Sequence, residues 1–227
     1  MTVLHLADET EAADLAAFLT RLLRYDRAAA VRLQAAGTAL AVFGRPPSFE
    51  VLAVRAVRLA KPYEDGLDAT LDVTVSAGEL LESVDEQAAT AAVPAAVTGP
   101  PWAGVLPPRG DWRLEPGLPG PAELHATVAR SVAEFRSRTE ELAPEQRTRA
   151  ELDRIGREIW SREVGPTRLP VRAVHAAHSL GFLRPANPAT AEETGLVSSG
   201  AWLRLRTPYG SIAVRRAGLG AFGVSVR

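Results

Sequence analysis

The sequence predicts an α+β protein: an N-terminal helix with antiparallel strands, a proline-rich connection, then C-terminal helices followed by a β-hairpin. Three observations carry this. Apolar residues recur at spacings of three and four over residues 15–25, apolar and polar residues alternate over 31–35, 70–75 and 202–206, and eight of the 17 prolines lie between Pro94 and Pro121. The expected organisation is an α+β unit over 1–90, a Pro/Gly-rich linker or binding loop over 91–120, and a helical unit with a C-terminal hairpin over 121–227.

Asp8 with Glu11 three residues later forms a capping-box pair, so a helix starts there. Leu15, Phe18, Leu19, Leu22, Leu23 and Tyr25 make its apolar stripe, and Arg21, Arg24 and Arg27 take the solvent side. From Val31 the period changes to two, with Gly37 as a turn and a second strand over 39–43. Residues 49–59, rich in valine, form the clearest strand, and 70–75 supply its neighbour across a turn-rich segment at 61–68. Ser76 and Glu79 repeat the capping pair and open a short helix.

Each proline after residue 94 removes a backbone donor and restricts the residue before it, so regular structure stops. Trp102 and Trp112 argue that this stretch is ordered, because a solvated linker rarely carries two large aromatics. Pro121 suits the first turn of a helix through Leu142, and Pro144 opens another over 145–163, braced by Asp153 with Arg157 and Glu158 with Arg162. A short helix over 170–180 ends at Gly181. The hairpin comprises 201–206, the turn Thr-Pro-Tyr-Gly, and 211–216, with a further strand expected around 222–226.

Composition limits the chemistry. With 46% hydrophobic and 23% charged residues in 227, the chain is long enough for a sizeable core. It has no cysteine, which excludes disulfides, thiolate nucleophiles and sulfur-ligated metals. The net charge of −1 gives no electrostatic argument for an obligate nucleic-acid or membrane partner. No apolar run approaches the roughly 18 residues that span a bilayer, and the N-terminus lacks a basic leader, so a cytoplasmic location is expected.

Charge is nonetheless uneven. Residues 1–99 carry 14 acidic and 8 basic side chains (−6), and residues 100–227 carry 13 and 18 (+5). Either the C-terminal part meets an anionic partner, or the two parts attract each other. Lys61 is the only lysine, so arginine is the default surface cation and each one is weighed first as a solvated side chain.

No catalytic motif stands out. His175 and His178 share one helix face at i, i+3, but no third ligand accompanies them on that helix, and His5 and His125 lie far away in sequence, so no metal site is expected. There is no nucleophile elbow. Gly218, Gly220 and Gly223 spell a phosphate-loop pattern with no room for a following helix. Glu140 with Glu141 and Glu192 with Glu193 are adjacent acids of the usual solvated kind. No cofactor is expected.

Two binding readings remain, with an enzyme of unrecognised type as the third. The leading one is a non-enzymatic interaction protein anchored by Trp102, Arg109 and Trp112, because Trp and Arg dominate interface energetics. The alternative is DNA binding: helix, helix and hairpin follow the order of a winged helix-turn-helix, with Arg168 and Arg172 on the recognition helix and Arg204, Arg206, Arg215 and Arg216 on the wing. Against it, Leu203 and Leu205 alternate with Arg204 and Arg206 as in any half-buried strand. The partner is therefore a protein, with nucleic acid as the alternative. A homodimer is expected if residues 49–59 or the hairpin lie at a sheet edge, which holds unless the two halves join.

The phrases Ala41-Val-Phe-Gly-Arg-Pro-Pro, Pro100-Pro-Trp-Ala-Gly-Val-Leu-Pro-Pro-Arg and Trp202-Leu-Arg-Leu-Arg-Thr-Pro-Tyr-Gly-Ser-Ile resemble an uncharacterised actinobacterial protein family of unknown function. That resemblance covers most of the chain and implies no activity or site residue.

Overall fold

The computed structural model describes residues 2–60, 71–185 and 194–216. The chain opens with strand β1 (Val3–His5) and enters helix α1 (Glu9–Tyr25), where the Asp8 carboxylate accepts the Glu11 backbone N–H at 2.9 Å. Strands β2 (Ala30–Ala36) and β3 (Ala39–Gly44) form a hairpin through Gly37, whose φ of 55° requires a residue tolerant of left-handed backbone. A 3-10 turn at Pro47–Phe49 leads to β4 (Leu52–Arg58). Then come β5 (Asp72–Ser76) and α2 (Ala77–Glu82), capped by the Ser76 hydroxyl accepting from the Glu79 N–H. The short strands β6 (Val84–Asp85) and β7 (Thr90–Ala92) pair with β1 in a three-stranded sheet.

Past the proline-rich stretch come β8 (Arg113–Glu115), α3 (Pro121–Glu140), α4 (Arg149–Trp160), α5 (Val171–Ser179), β9 (Gly195–Ser199), β10 (Trp202–Thr207) and β11 (Gly210–Arg215). The expected helix over 145–163 is thus a 3-10 turn at Pro144–Gln146 followed by α4, whose Thr148 hydroxyl caps Glu151. Glu158 meets Arg162 as expected, whereas Asp153 pairs with Arg149. The strand expected around 222–226, the turn at 61–68 and the glycine pattern at 218–223 lie outside the described residues.

Eight strands build one sheet in the order β5-β2-β3-β4-β11-β10-β9-β8, every neighbour antiparallel. The join between the halves is β4 with β11, in the register Val54–Ser211, Ala53–Ile212 and Leu52–Ala213. Both strands for which an edge was foreseen are therefore interior, and that argument for a homodimer falls away: among the described residues the edges are β5 and the three-residue β8.

On one face of the sheet Val31, Leu33, Val42, Leu205, Ile212 and Val214 enter a core shared with Leu15, Phe18, Leu19 and Leu22 of α1 and with α5. On the second face Phe43, Leu52, Val54 and Ala213 make a smaller cluster. β4 is buried on both faces over residues 52–55, while Ala56 and Arg58 at its far end are exposed.

The second face has a cover. Ala96 bridges Val75 of β5, the Val97 N–H donates to Thr74 O at 2.9 Å, and the Arg32 guanidinium donates to Ala103 O. Trp102 and Leu106 pack on the second cluster, and the Ser199 hydroxyl donates to Gly110 O at 3.2 Å. Residues 94–112 are thus a strap tied to β5 at one end and β9 at the other. Prolines suit it because a strap lying on a sheet forms no ladder and needs few donors.

Candidate functional site

The second face beyond the strap is where aromatic and basic side chains gather. Strand alternation puts Trp202, Arg204 and Arg206 of β10 on that face, with Arg215 of β11 opposite Trp202. The Arg204 guanidinium carbon lies 5.7 Å from the centroid of Trp112, and that of Arg215 lies 5.7 Å from Trp202, both within cation–π range. Trp112 also donates from Nε1 to Pro108 O at 3.1 Å, which fixes its indole as the strap turns into β8. Leu114, on the same face, is 78% exposed, and Val105 in the strap is 50% exposed.

This brings parts of the two expected sets together. Trp112 lies within cation–π range of Arg204, on the face that also carries Arg206, Arg215 and Trp202. Trp202 was not singled out, although its alternation with Arg204 was visible. Trp102 is half-buried on the second cluster and also walls a cavity of ≈ 640 Å³ with Asp26, Arg45 and Ser76, and Arg109 is exposed.

The remaining arginines lie elsewhere. Arg216 meets Glu115 at 2.9 Å, and a Ser198 hydrogen bond together with the charges of Arg216 and Arg168 holds that carboxyl below its ordinary range. Arg168 is exposed ahead of α5, and Arg172 on α5 is half-buried, its Nε without a hydrogen-bond partner among the described residues. Helix α5 packs on the first face, burying Val171, Ala173, Val174, Ala176 and Ala177, while Arg204, Arg206 and Arg215 stand on the second. The elements therefore have the order of a winged helix-turn-helix without its assembly. The hairpin is no projecting wing, because β11 is bonded to β4 and β10 to β9.

A second group lies on the helical side. Helices α1, α3 and α5 enclose a groove of ≈ 610 Å³ lined by Tyr25, His125, Arg136, His175, His178 and Ser179 over Val128 and Val132. Sequence reading found the His175–His178 pair but not His125, which comes from 50 residues upstream and joins them because α3 packs on α5. His125 Nε2 donates to Leu183 O at 2.7 Å, since a carbonyl only accepts, and its ring meets His178 edge-on at 5.4 Å. His175 lies 4.8 Å from Trp160 and 5.1 Å from Phe49. Burial, then the neighbouring imidazole, pushes His175 and His178 below the ordinary histidine value. Among the described residues no three His, Asp or Glu side chains are placed to hold a metal ion.

A third cluster joins the halves. Buried Arg55 of β4 meets Glu11 at 2.8 Å, Asp14 at 3.4 Å and Tyr209 O at 3.0 Å. Asp14 also pairs with Arg184, which lies 3.6 Å over the Tyr209 ring.

Fold and surfaces together define a mixed α+β protein whose single large sheet is assembled from two segments. Those segments correspond to two matches: residues 1–104 match a Domain of unknown function (DUF8010), and residues 107–219 match a Domain of unknown function (DUF8185). The junction falls within the strap. No curated protein and no solved structure matches the chain. No described helix is long and apolar enough to cross a membrane.

Proposed function

We propose that the protein is a non-enzymatic, cytoplasmic binding protein that takes an acidic protein segment on the second face of its sheet, across β10 and β11. The observation that carries this is the pair of Trp–Arg cation–π contacts, Trp112 with Arg204 and Trp202 with Arg215, on one face next to exposed Leu114. Arginine is the side chain best suited to meet a carboxylate, and Trp and Arg are the side chains that most often carry interface energy. Arg109 is a further exposed cation on the strap, where its charge acts on Asp72 of β5. Nucleic acid is the second reading, favoured by the same pairing of aromatic and cation, but a pI near 6.5 lacks the strongly basic footprint such proteins carry.

Affinity capture from extract of the producing cells, compared between the native protein and the Arg109→Glu/Arg215→Glu variant, tests this. A protein retained by the native chain and lost by a variant of unchanged thermal stability supports the reading, and equal retention contradicts it. Fluorescence anisotropy with duplex DNA forms the other arm: binding whose log–log salt slope flattens by about two units in the double variant returns the face to nucleic acid.

A further inference from the structure

The groove between α1, α3 and α5 is independent of the sheet face and lies on the opposite side of the sheet. It gathers three of the chain's four histidines, and among the described residues its lining contains no carboxylate. Its floor is apolar, formed by Val128 and Val132, with Ala129, Ala133 and Arg136 exposed at the rim. Its volume of ≈ 610 Å³ falls within the range of small-molecule sites, roughly 300–1,000 Å³.

We propose that this groove binds a small organic acid: a carboxylate whose aliphatic or aromatic body lies on the valine floor and whose anionic end meets Arg136 and the imidazoles. The polarity of the lining sets the sign of the ligand. Arg136 is a cation, Tyr25 and Ser179 each have a hydroxyl to donate, and neutral His175 and His178 each carry one N–H, whereas no carboxylate among the described lining residues balances a cationic ligand. The imidazoles are held in place before any ligand binds, His125 by Leu183 O, His178 by the His125 ring and His175 by Trp160 and Phe49. Preorganisation of this kind lowers the ordering cost of binding.

The histidines make the test direct, because His5 sits on the three-stranded sheet and serves as an internal control. The ring resonances of the full-length protein are followed while octanoate, octanamide or inorganic phosphate is added. Octanoate is expected to shift the rings of His125, His175 and His178 together and leave His5 unmoved. Arg136→Gln is expected to weaken it about five- to tenfold, and Ala129→Trp, which fills the groove from an exposed helix position, to abolish the shifts without lowering thermal stability. The proposal is overturned if octanoate moves none of the three, or if octanamide binds as tightly, since the charge then plays no part. It is also overturned if phosphate alone binds as tightly, since the apolar floor then plays no part. None of these outcomes bears on the sheet face.

Discussion

Arg55 is the residue on which the two halves most visibly depend. It projects from β4 to Glu11 and Asp14 of α1 and to the carbonyl of Tyr209 in the hairpin turn, and its side chain is almost wholly buried. Removing it leaves buried Glu11 with only the exposed Arg58 and half-buried Asp14 with only Arg184. Arg55→Met is therefore expected to destabilise by about 1–3 kcal/mol, a loss that urea unfolding would register and that Arg55→Lys would restore only in part. Titration gives a second expectation. His175 has a folded pKa below its unfolded value, so as pH falls the unfolded chain takes up the proton first. Stability is then fully present above the unfolded value near 6.5 and declines below it. Thermal melts between pH 7.5 and 5 should show this decline, and His175→Gln should flatten part of it. Glu158 behaves alike at lower pH: Arg138 holds its carboxyl near 2, so its contribution is present above the unfolded value of 4.5 and fades toward pH 2. Glu158→Gln should remove that portion of the acid sensitivity.

At the scale of elements, what could be read in the sequence was local. The caps at Asp8 and Ser76 are satisfied by short-range hydrogen bonds, so a four-residue pattern was enough to find α1 and α2. The hairpin was legible from alternation alone, because Leu203 and Leu205 face a core while Arg204 and Arg206 do not. Strands β6, β7 and β8 were not, since two or three residues carry no period and exist only through their partners. The groove shows the same limit: His175 and His178 share a helix, but only tertiary packing brings His125 to them. The strap was recognised as ordered from its tryptophans, yet its path over the sheet depends on distant groups such as Thr74 and Ser199. Trp102→Ala should loosen it from Phe43, Leu52 and Val54 and destabilise by about 2–4 kcal/mol. At the hairpin turn, a Cβ on Gly210 would come within 2.7 Å of the buried Phe182 ring, at a φ of 154° that other residues rarely adopt. Gly210→Ala should therefore destabilise by about 1–3 kcal/mol, readable in the same unfolding experiment.

At the scale of the molecule, the uneven charge of the two halves finds part of its explanation inside the chain: Asp14 of the acidic half pairs with Arg184 of the basic one. The rest lies on the second face, where Arg204, Arg206 and Arg215 gather around two tryptophans. Both this surface and the histidine groove depend on β4 bonding to β11, which makes residues matched to two separate domain families into one sheet with two different faces. A segment of residues 1–104 alone would expose the apolar edge of β4 and is expected to aggregate or remain unfolded when expressed by itself. The most direct test of the join is backbone NOE spectroscopy on the full chain. Cross-strand contacts in the register Val54–Ser211, Ala53–Ile212 and Leu52–Ala213 are expected, and their absence, with the contacts inside β3–β4 and β10–β11 intact, would contradict the single sheet.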